Sequence, residues 1–284
     1  MSEINWFPGH MAKTRRSLEQ QIKCVDAVIE LCDARAPYAT RNPELIKLIG
    51  NKTHILVLNK SDLAEESATA DWLNYYRSKG LKAIAFQSTA NKTKDIFRLI
   101  DEASASKVEK MKQRGAMKTV RLMVVGIPNV GKSTFINKLK GQSVAKASDR
   151  PGVTRSNQWV KINTFLELLD TPGMLWPKLE DEKGALRLAF LGSIKDDIMD
   201  SERLAAELVS ELLLINPKAV CDRFKLDETA LQCPKDELLE RCCKGRGWLL
   251  SGGRYDTDRG AALILDEFRA GKLGKITLER MGKI

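Results

Sequence analysis

The sequence predicts an α/β fold with a mainly parallel six-stranded sheet, followed by a smaller all-α region. Three observations carry that prediction. Short apolar runs alternate with segments of helical spacing up to about residue 170, the arrangement of a sheet covered by helices. Polar or glycine-bearing tetrapeptides follow those runs, as loops do at the end of buried strands. After Gly173 only helical periodicity remains.

The elements follow in order. Met11, Leu18 and Ile22 recur at helical spacing, and Pro8-Gly9 is expected to turn just before them. Lys13, Arg15 and Arg16 lie on the polar side, where a solvated face and a phosphate-facing patch explain them equally well. Val25 to Cys32 reads as a buried strand ending in Asp33-Ala34-Arg35. A helix over Glu44 to Ile49 leads to a strand over His54 to Leu58. A helix over Ala70 to Lys79 leads to a third strand over Ala83 to Phe86. A helix beginning at Thr93 is expected to give way to an exposed, lysine-rich connector over Lys107 to Lys118. Val120 to Val125 is a strand, and a helix covers Thr134 to Leu139. Gln158 to Ile162 and Phe165 to Leu169 read as a pair joined by a short turn. Beyond, Leu204 to Ile215 forms a helix ended by Asn216-Pro217. A helix around Leu238 to Cys242 is expected to stop at Gly245, and one over Ala261 to Phe268 at Gly271. Two domains are expected, residues 1–178 and 179–284.

Composition narrows the class. The net charge of +10 over 284 residues favours a polyanionic partner, nucleic acid above all. No run is long and apolar enough for a membrane span. Met1 to Pro8 lacks a signal-peptide core and Glu3 argues against a transit peptide, so a cytoplasmic location is expected. The six cysteines form no C-x-x-C pair, so mostly buried thiols are expected rather than zinc.

The chemistry lies at the strand ends. Gly126-Ile127-Pro128-Asn129-Val130-Gly131-Lys132-Ser133 fits the phosphate-binding P-loop spacing. There, backbone N–H groups of Val130, Gly131 and Thr134 would cradle phosphates. Lys132 would reach the β- and γ-phosphates, and the Ser133 hydroxyl would ligate Mg²⁺. Asn59-Lys60-Ser61-Asp62 has the form N-K-x-D. A carboxylate at Asp62 can accept from guanine N1–H and N2–H₂, which adenine cannot supply. Asn59 would hold the base edge, Lys60 would lie over the ring, and Ser88 and Thr89 would add contacts to the base. In Asp170-Thr171-Pro172-Gly173, Asp170 would hold Mg²⁺ through water and Gly173 would meet the γ-phosphate. Thr154 could supply a second Mg²⁺ hydroxyl.

The order of these motifs is unusual, since N-K-x-D precedes the P-loop. A circular permutation accounts for it, as domain ends often lie close together. It places the Asp170–Gly173 loop directly before the helical region. The chain thus resembles the circularly permuted bacterial GTPases. Its opening Trp6-Phe7-Pro8-Gly9-His10-Met11 and its late Arg246-Gly247-Trp248-Leu249 to Ser251-Gly252-Gly253 are similar to the ribosome biogenesis branch of that family. The resemblance implies a circularly permuted P-loop GTPase domain and a C-terminal helical domain that contacts ribosomal RNA. It also implies GTP hydrolysis in late assembly of the large ribosomal subunit, stimulated by the particle, with the protein a monomer away from the ribosome. Met174 and Leu175 follow the D-x-x-G loop and cannot hydrogen-bond a water. The resemblance assigns that role to His10, and a K⁺ site to Asn129. An RNA-binding module with incidental hydrolysis, or a factor for the small subunit, stays open on sequence alone.

Overall fold

The computed structural model describes residues 9–90, 93–113, 119–141, 157–176, 181–194 and 200–282. Its centre is a sheet in the order β3-β2-β1-β4-β6-β5. The strands are β1 (Ala27–Asp33), β2 (Thr53–Asn59), β3 (Lys82–Ala85), β4 (Val120–Val125), β5 (Gln158–Asn163) and β6 (Leu166–Asp170). All neighbours pair in parallel except β5, which lies antiparallel to β6 at one edge. The expected pair of strands is that antiparallel hairpin. The central strands are apolar on both faces because helices cover both. Ala27, Ile29 and Leu31 of β1 face one core, and Val28 faces another with Met123, Val125 and Leu169.

Helices α1 (Gly9–Ile22), α2 (Pro43–Ile49), α3 (Glu66–Ser78), α4 (Lys94–Lys112) and α5 (Lys132–Lys140) accompany the sheet. Asn42 caps α2 by accepting from Glu44 and Leu45 N–H, with Pro43 at the first turn. Two boundaries depart from expectation. Helix α3 starts a turn earlier, at Glu66. Helix α4 runs on to Lys112 through much of the supposed connector, because Lys, Glu and Met are good helix formers and no Gly or Pro interrupts them.

The later residues form α6 (Glu182–Phe190), α7 (Ser201–Ile215), α8 (Pro217–Phe224), α9 (Lys235–Arg246) and α10 (Thr257–Arg269). Asn216 ends α7 and also caps α8, accepting from Ala219 N–H, so Asn216-Pro217 starts a helix as well as stopping one. Helix α9 passes through Gly245 and ends at Gly247, whose φ of 68° is the left-handed turn that closes a helix. Helix α6 was not foreseen. The cysteines are less buried than expected: Cys32, Cys242 and Cys243 are buried, Cys221 and Cys233 half-buried, and Cys24 exposed.

A strap over 276–279 follows α10 and returns to the sheet half. Ile276 N–H donates to Leu63 O and Leu278 N–H to Arg35 O, at 3.0 and 2.8 Å. Thr277 Oγ1 accepts from Glu65 N–H at 2.9 Å. The Glu279 carboxylate accepts from Tyr38 and Ala39 N–H and pairs with Arg187 Nη1 at 3.2 Å. One apolar core runs without a break from β1, β2 and β4 through α6, α7, α9 and α10. No described helix is long and apolar enough to cross a membrane.

Candidate functional site

The loop after β4 has the shape that its glycines permit. Gly126 has a φ of 154° and packs so closely on β1 that a Cβ would fall 2.5 Å from Leu31 O. Gly131 has a φ of 93° and opens α5, and a Cβ there would fall 2.5 Å from Asn59 Nδ2. Asn129 is also left-handed, at φ 60°. The loop therefore ends against the N-K-x-D segment.

Two hydrogen bonds join those segments. Asn59 Nδ2 donates to Val130 O at 2.8 Å and Lys60 Nζ to Asn129 O at 2.7 Å. Ser88 Oγ in turn donates to Asn59 Oδ1 at 2.8 Å, which brings in the segment after β3. Thr89 beside it is exposed. Asp62 is half-exposed, and its carboxylate makes no hydrogen bond or ion pair among the described residues.

The D-x-x-G segment meets the same loop from the other side. Ser133 Oγ donates to Asp170 Oδ2 at 2.9 Å. Met174 N–H donates to Gly126 O at 3.2 Å. Gly173 lies so close to the loop that a Cβ would sit 2.6 Å from Pro128 N and 2.7 Å from Pro128 Cα. Backbone cannot yield as a side chain does. Gly173→Ala is therefore expected to push the two loops apart and weaken GTP binding about tenfold or more, with the far-UV circular dichroism unchanged. An alanine variant with wild-type affinity would show that their contact is dispensable.

Lys132 is buried, and its Nζ donates to Ile127 O and Gly126 O at 2.9 and 3.2 Å. Burial pulls its ammonium down to about 8, against the charge of Asp170, which raises it. Thr134 is half-buried in the first turn of α5. Asn129 Nδ2 donates to Gly192 O at 2.7 Å, in the turn after α6. Met174 and Leu175 are buried, as their apolar character requires. His10 is the second residue of α1, whose Leu18 and Ile22 pack in one cluster with Met174. Thr154, Trp6 and Phe7 lie outside the described residues.

The structure thus brings Asn59, Lys60, Ser88, Asn129, Val130, Gly131, Lys132, Ser133, Asp170 and Gly173 to one edge of the sheet. A cleft of about 740 Å³ lies elsewhere, lined by Tyr38, Tyr75, Tyr76 and Trp176, and none of these motif residues borders it. Loop geometry rather than cavity size marks the candidate site. Sequence reasoning missed Asp33 and Arg35, although they end an apolar run at that same edge. Asp33 Oδ2 lies 3.1 Å from Lys60 Nζ.

Among the described residues no three His, Cys, Asp or Glu side chains cluster to hold a metal. Ser133 and Asp170 offer hard oxygen donors to each other's neighbourhood, a set that suits Mg²⁺ carried by a phosphate.

Comparison with known proteins agrees with this geometry. Residues 121–216 match the family model described as 50S ribosome-binding GTPase. The chain is 44% identical over 280 residues to ribosome biogenesis GTPase A of Bacillus cereus, covering 97% of this chain and 93% of that protein. It is 37% identical over 295 residues to mitochondrial ribosome-associated GTPase 1 of Mus musculus, covering 97% and 90%. Among solved structures, GDP-bound YlqF of T. maritima superposes with a TM-score of 0.69 at 26% identity, covering 94% of this chain and 99% of that one. The GNP-bound form of YlqF gives 0.66 and covers 96% and 100%. With the permuted motif order, the meeting of its loops and these matches over nearly the whole length, the chain belongs to the ribosome biogenesis GTPase A family.

Proposed function

We propose that the chain binds GTP across the two motifs and hydrolyses it to GDP and phosphate while assisting late assembly of the large ribosomal subunit. The ribosomal particle stimulates turnover. The observation that carries this reading is the pair of hydrogen bonds from Asn59 and Lys60 to the carbonyls of Val130 and Asn129, which lets one nucleotide span both segments. Asp62 selects guanine, Lys60 lies over the base, and Asn59, Ser88 and Thr89 shape its pocket. Val130, Gly131, Lys132, Ser133 and Thr134 hold the phosphates. Gly173, already against Pro128, contacts the γ-phosphate.

Mg²⁺ would be held by Ser133 and, through water, by Asp170, with Thr154 adding a hydroxyl, and it would offset phosphate charge there. Asn129 would serve a K⁺ ion. Met174 and Leu175 are fixed in apolar surroundings, so the attacking water is oriented from elsewhere. His10 takes that role, as the likeness of Pro8-Gly9-His10 to the family's opening motif implies. Residues 1–178 form the GTPase domain. Residues 179–284 form the ribosomal-RNA-binding domain by the family resemblance, and the net charge of +10 of the whole chain suits a polyanionic partner. The protein is a cytoplasmic monomer away from the ribosome.

One assay tests the whole reading. GTP turnover is measured alone, with isolated large subunits and with isolated small subunits, in K⁺ and in Na⁺, for wild type and His10→Ala. Large subunits are expected to raise the wild-type rate about tenfold or more in K⁺ and less in Na⁺, with His10→Ala failing to respond. Stimulation by small subunits alone would reassign the partner. Equal rates in the two salts would remove the K⁺ site, and a responsive His10→Ala would remove the catalytic histidine.

Base selection has its own test. In Asp62→Asn the side chain presents an N–H where the carboxylate accepted, which suits the C2 carbonyl of xanthine. GDP affinity is expected to fall about a hundredfold while xanthosine diphosphate binding appears. Unchanged preference for GDP would mean that Asp62 does not read the base.

A further inference from the structure

Asp33 ends β1 in register with Asn59, the last residue of β2. Its buried carboxylate meets two cations. Arg35 Nε and Nη2 donate to its two oxygens at 3.0 and 2.9 Å, and Lys60 Nζ lies at 3.1 Å. Lys60 Nζ also donates to the P-loop carbonyl of Asn129. The ammonium is thus held from two sides. Burial alone would raise the Asp33 carboxyl. The charges of Arg35 and Lys60 outweigh it, so the carboxyl titrates well below its usual range and stays ionised.

Arg35 is itself buried and reaches further. Its Nη1 donates to Phe268 O and Arg269 O, both at 3.2 Å, and its guanidinium lies 5.2 Å over the Phe268 ring. Those carbonyls close α10, where intrahelical donors run out and the helix dipole is negative. Arg269 then donates to the carbonyls of Phe190 and Ala189 at the end of α6. Two residues beyond Phe190, Gly192 O accepts from Asn129. The contacts leave the N-K-x-D loop, pass through α10 and α6, and return to the P-loop.

We propose that Asp33 is a positioning residue that fixes Lys60 for the nucleotide base, and that Arg35 ties this placement to the C-terminal end of α10. The inference rests on the reading of Asn59 to Asp62 as the guanine site. A lysine stem samples many rotamers, and a buried, immobile anion selects one before the nucleotide arrives, which lowers the cost of binding. The bidentate Arg35 fork in turn fixes the plane of that anion. Any shift of the base-side loop therefore reaches the end of a helix in the C-terminal half.

The test compares GDP and GTP affinities of wild type, Asp33→Asn, Lys60→Met and the double variant by fluorescence titration. Asp33→Asn is expected to weaken GDP and GTP alike, about tenfold, because the base is common to both. In the Lys60→Met background it should add less than about twofold, since its effect runs through that lysine. A wild-type affinity in Asp33→Asn, or the full loss repeated without Lys60, overturns the positioning role. Should Asp33→Asn fail to fold, Asp33→Glu keeps the charge but displaces it by one methylene, and the same Lys60-dependent loss is expected. For the second link, GDP is expected to slow amide exchange at 268–271 in wild type and not in Arg35→Lys, which cannot form the fork. No slowing in wild type, or equal slowing in Arg35→Lys, overturns it. Wild type that binds no GDP overturns the guanine reading and this inference together. Wild type that binds while the variants bind equally well overturns this inference alone.

Discussion

Lys132→Met is expected to lower GTP turnover by about a thousandfold while leaving the chain folded. On the proposed reading, the loss follows from removing the cation at the head of α5 that would meet charge developing on the phosphates. The preserved fold follows from its surroundings. Lys132 is buried, and among the described residues its Nζ bonds carbonyls of its own loop, with the charge of Asp170 nearby. A methionine fills similar volume without the cost of a buried charge. Unfolded, the amine titrates near its ordinary 10.5; folded and nucleotide-free, near 8. Between those values the unfolded chain carries the extra proton, so wild type gains stability as pH rises through the window. The gain is about 3 kcal/mol and is absent from Lys132→Met. Urea unfolding of both proteins at about pH 7 and about pH 10.5 measures it as a difference, which cancels the other lysines and tyrosines. Parallel behaviour of the two would mean that Lys132 is solvated in the free protein.

Glu279→Ala should destabilise the fold by about 3–5 kcal/mol. Its carboxylate is 1% exposed and serves three donors: Tyr38 N–H, Ala39 N–H and Arg187 Nη1. Removing it leaves the amides of Tyr38 and of buried Ala39 without that acceptor and leaves Arg187 with Glu211, at 3.1 Å, as its ionic partner among the described residues. The strap would lose its hold on the loop after β1, and with it the Trp72 Nε1 bond to Glu279 O. Tryptophan fluorescence during urea unfolding reads the change directly. A loss below about 1 kcal/mol would mean that water replaces the carboxylate at that seam.

How far the sequence reveals this molecule depends on the range of the interaction concerned. The loops at Gly126–Ser133, Asn59–Asp62 and Asp170–Gly173 were legible because glycine and strand-end chemistry are local. Their shared edge followed from the parallel sheet alone. Helix α8 was hidden because Asn216 ends one helix and caps the next, so a stop signal concealed a start signal. The run of α4 to Lys112 was hidden because charge density suggests solvent exposure, not the absence of a helix. Arg35 and Phe268 stand 233 residues apart in sequence, and no periodicity announces a bond of that span. The strap over 276–279 buries Ile276 and Leu278 in the core, but two alternating apolar positions are too short a pattern to read, and the bonds that hold it are backbone and carboxylate contacts.

That strap bears on how the protein is made. Tyr38 and Glu279 bond across 241 residues, and Arg35 receives Leu278 in the same seam. A chain emerging from its synthesis in order would expose β1, β2 and α3 long before residues 276–279 existed to cover their loops. Contacts of such separation slow folding, because a long segment must be closed before they reward it. Until translation reaches that segment, the early strands are expected to remain a substrate for chaperones.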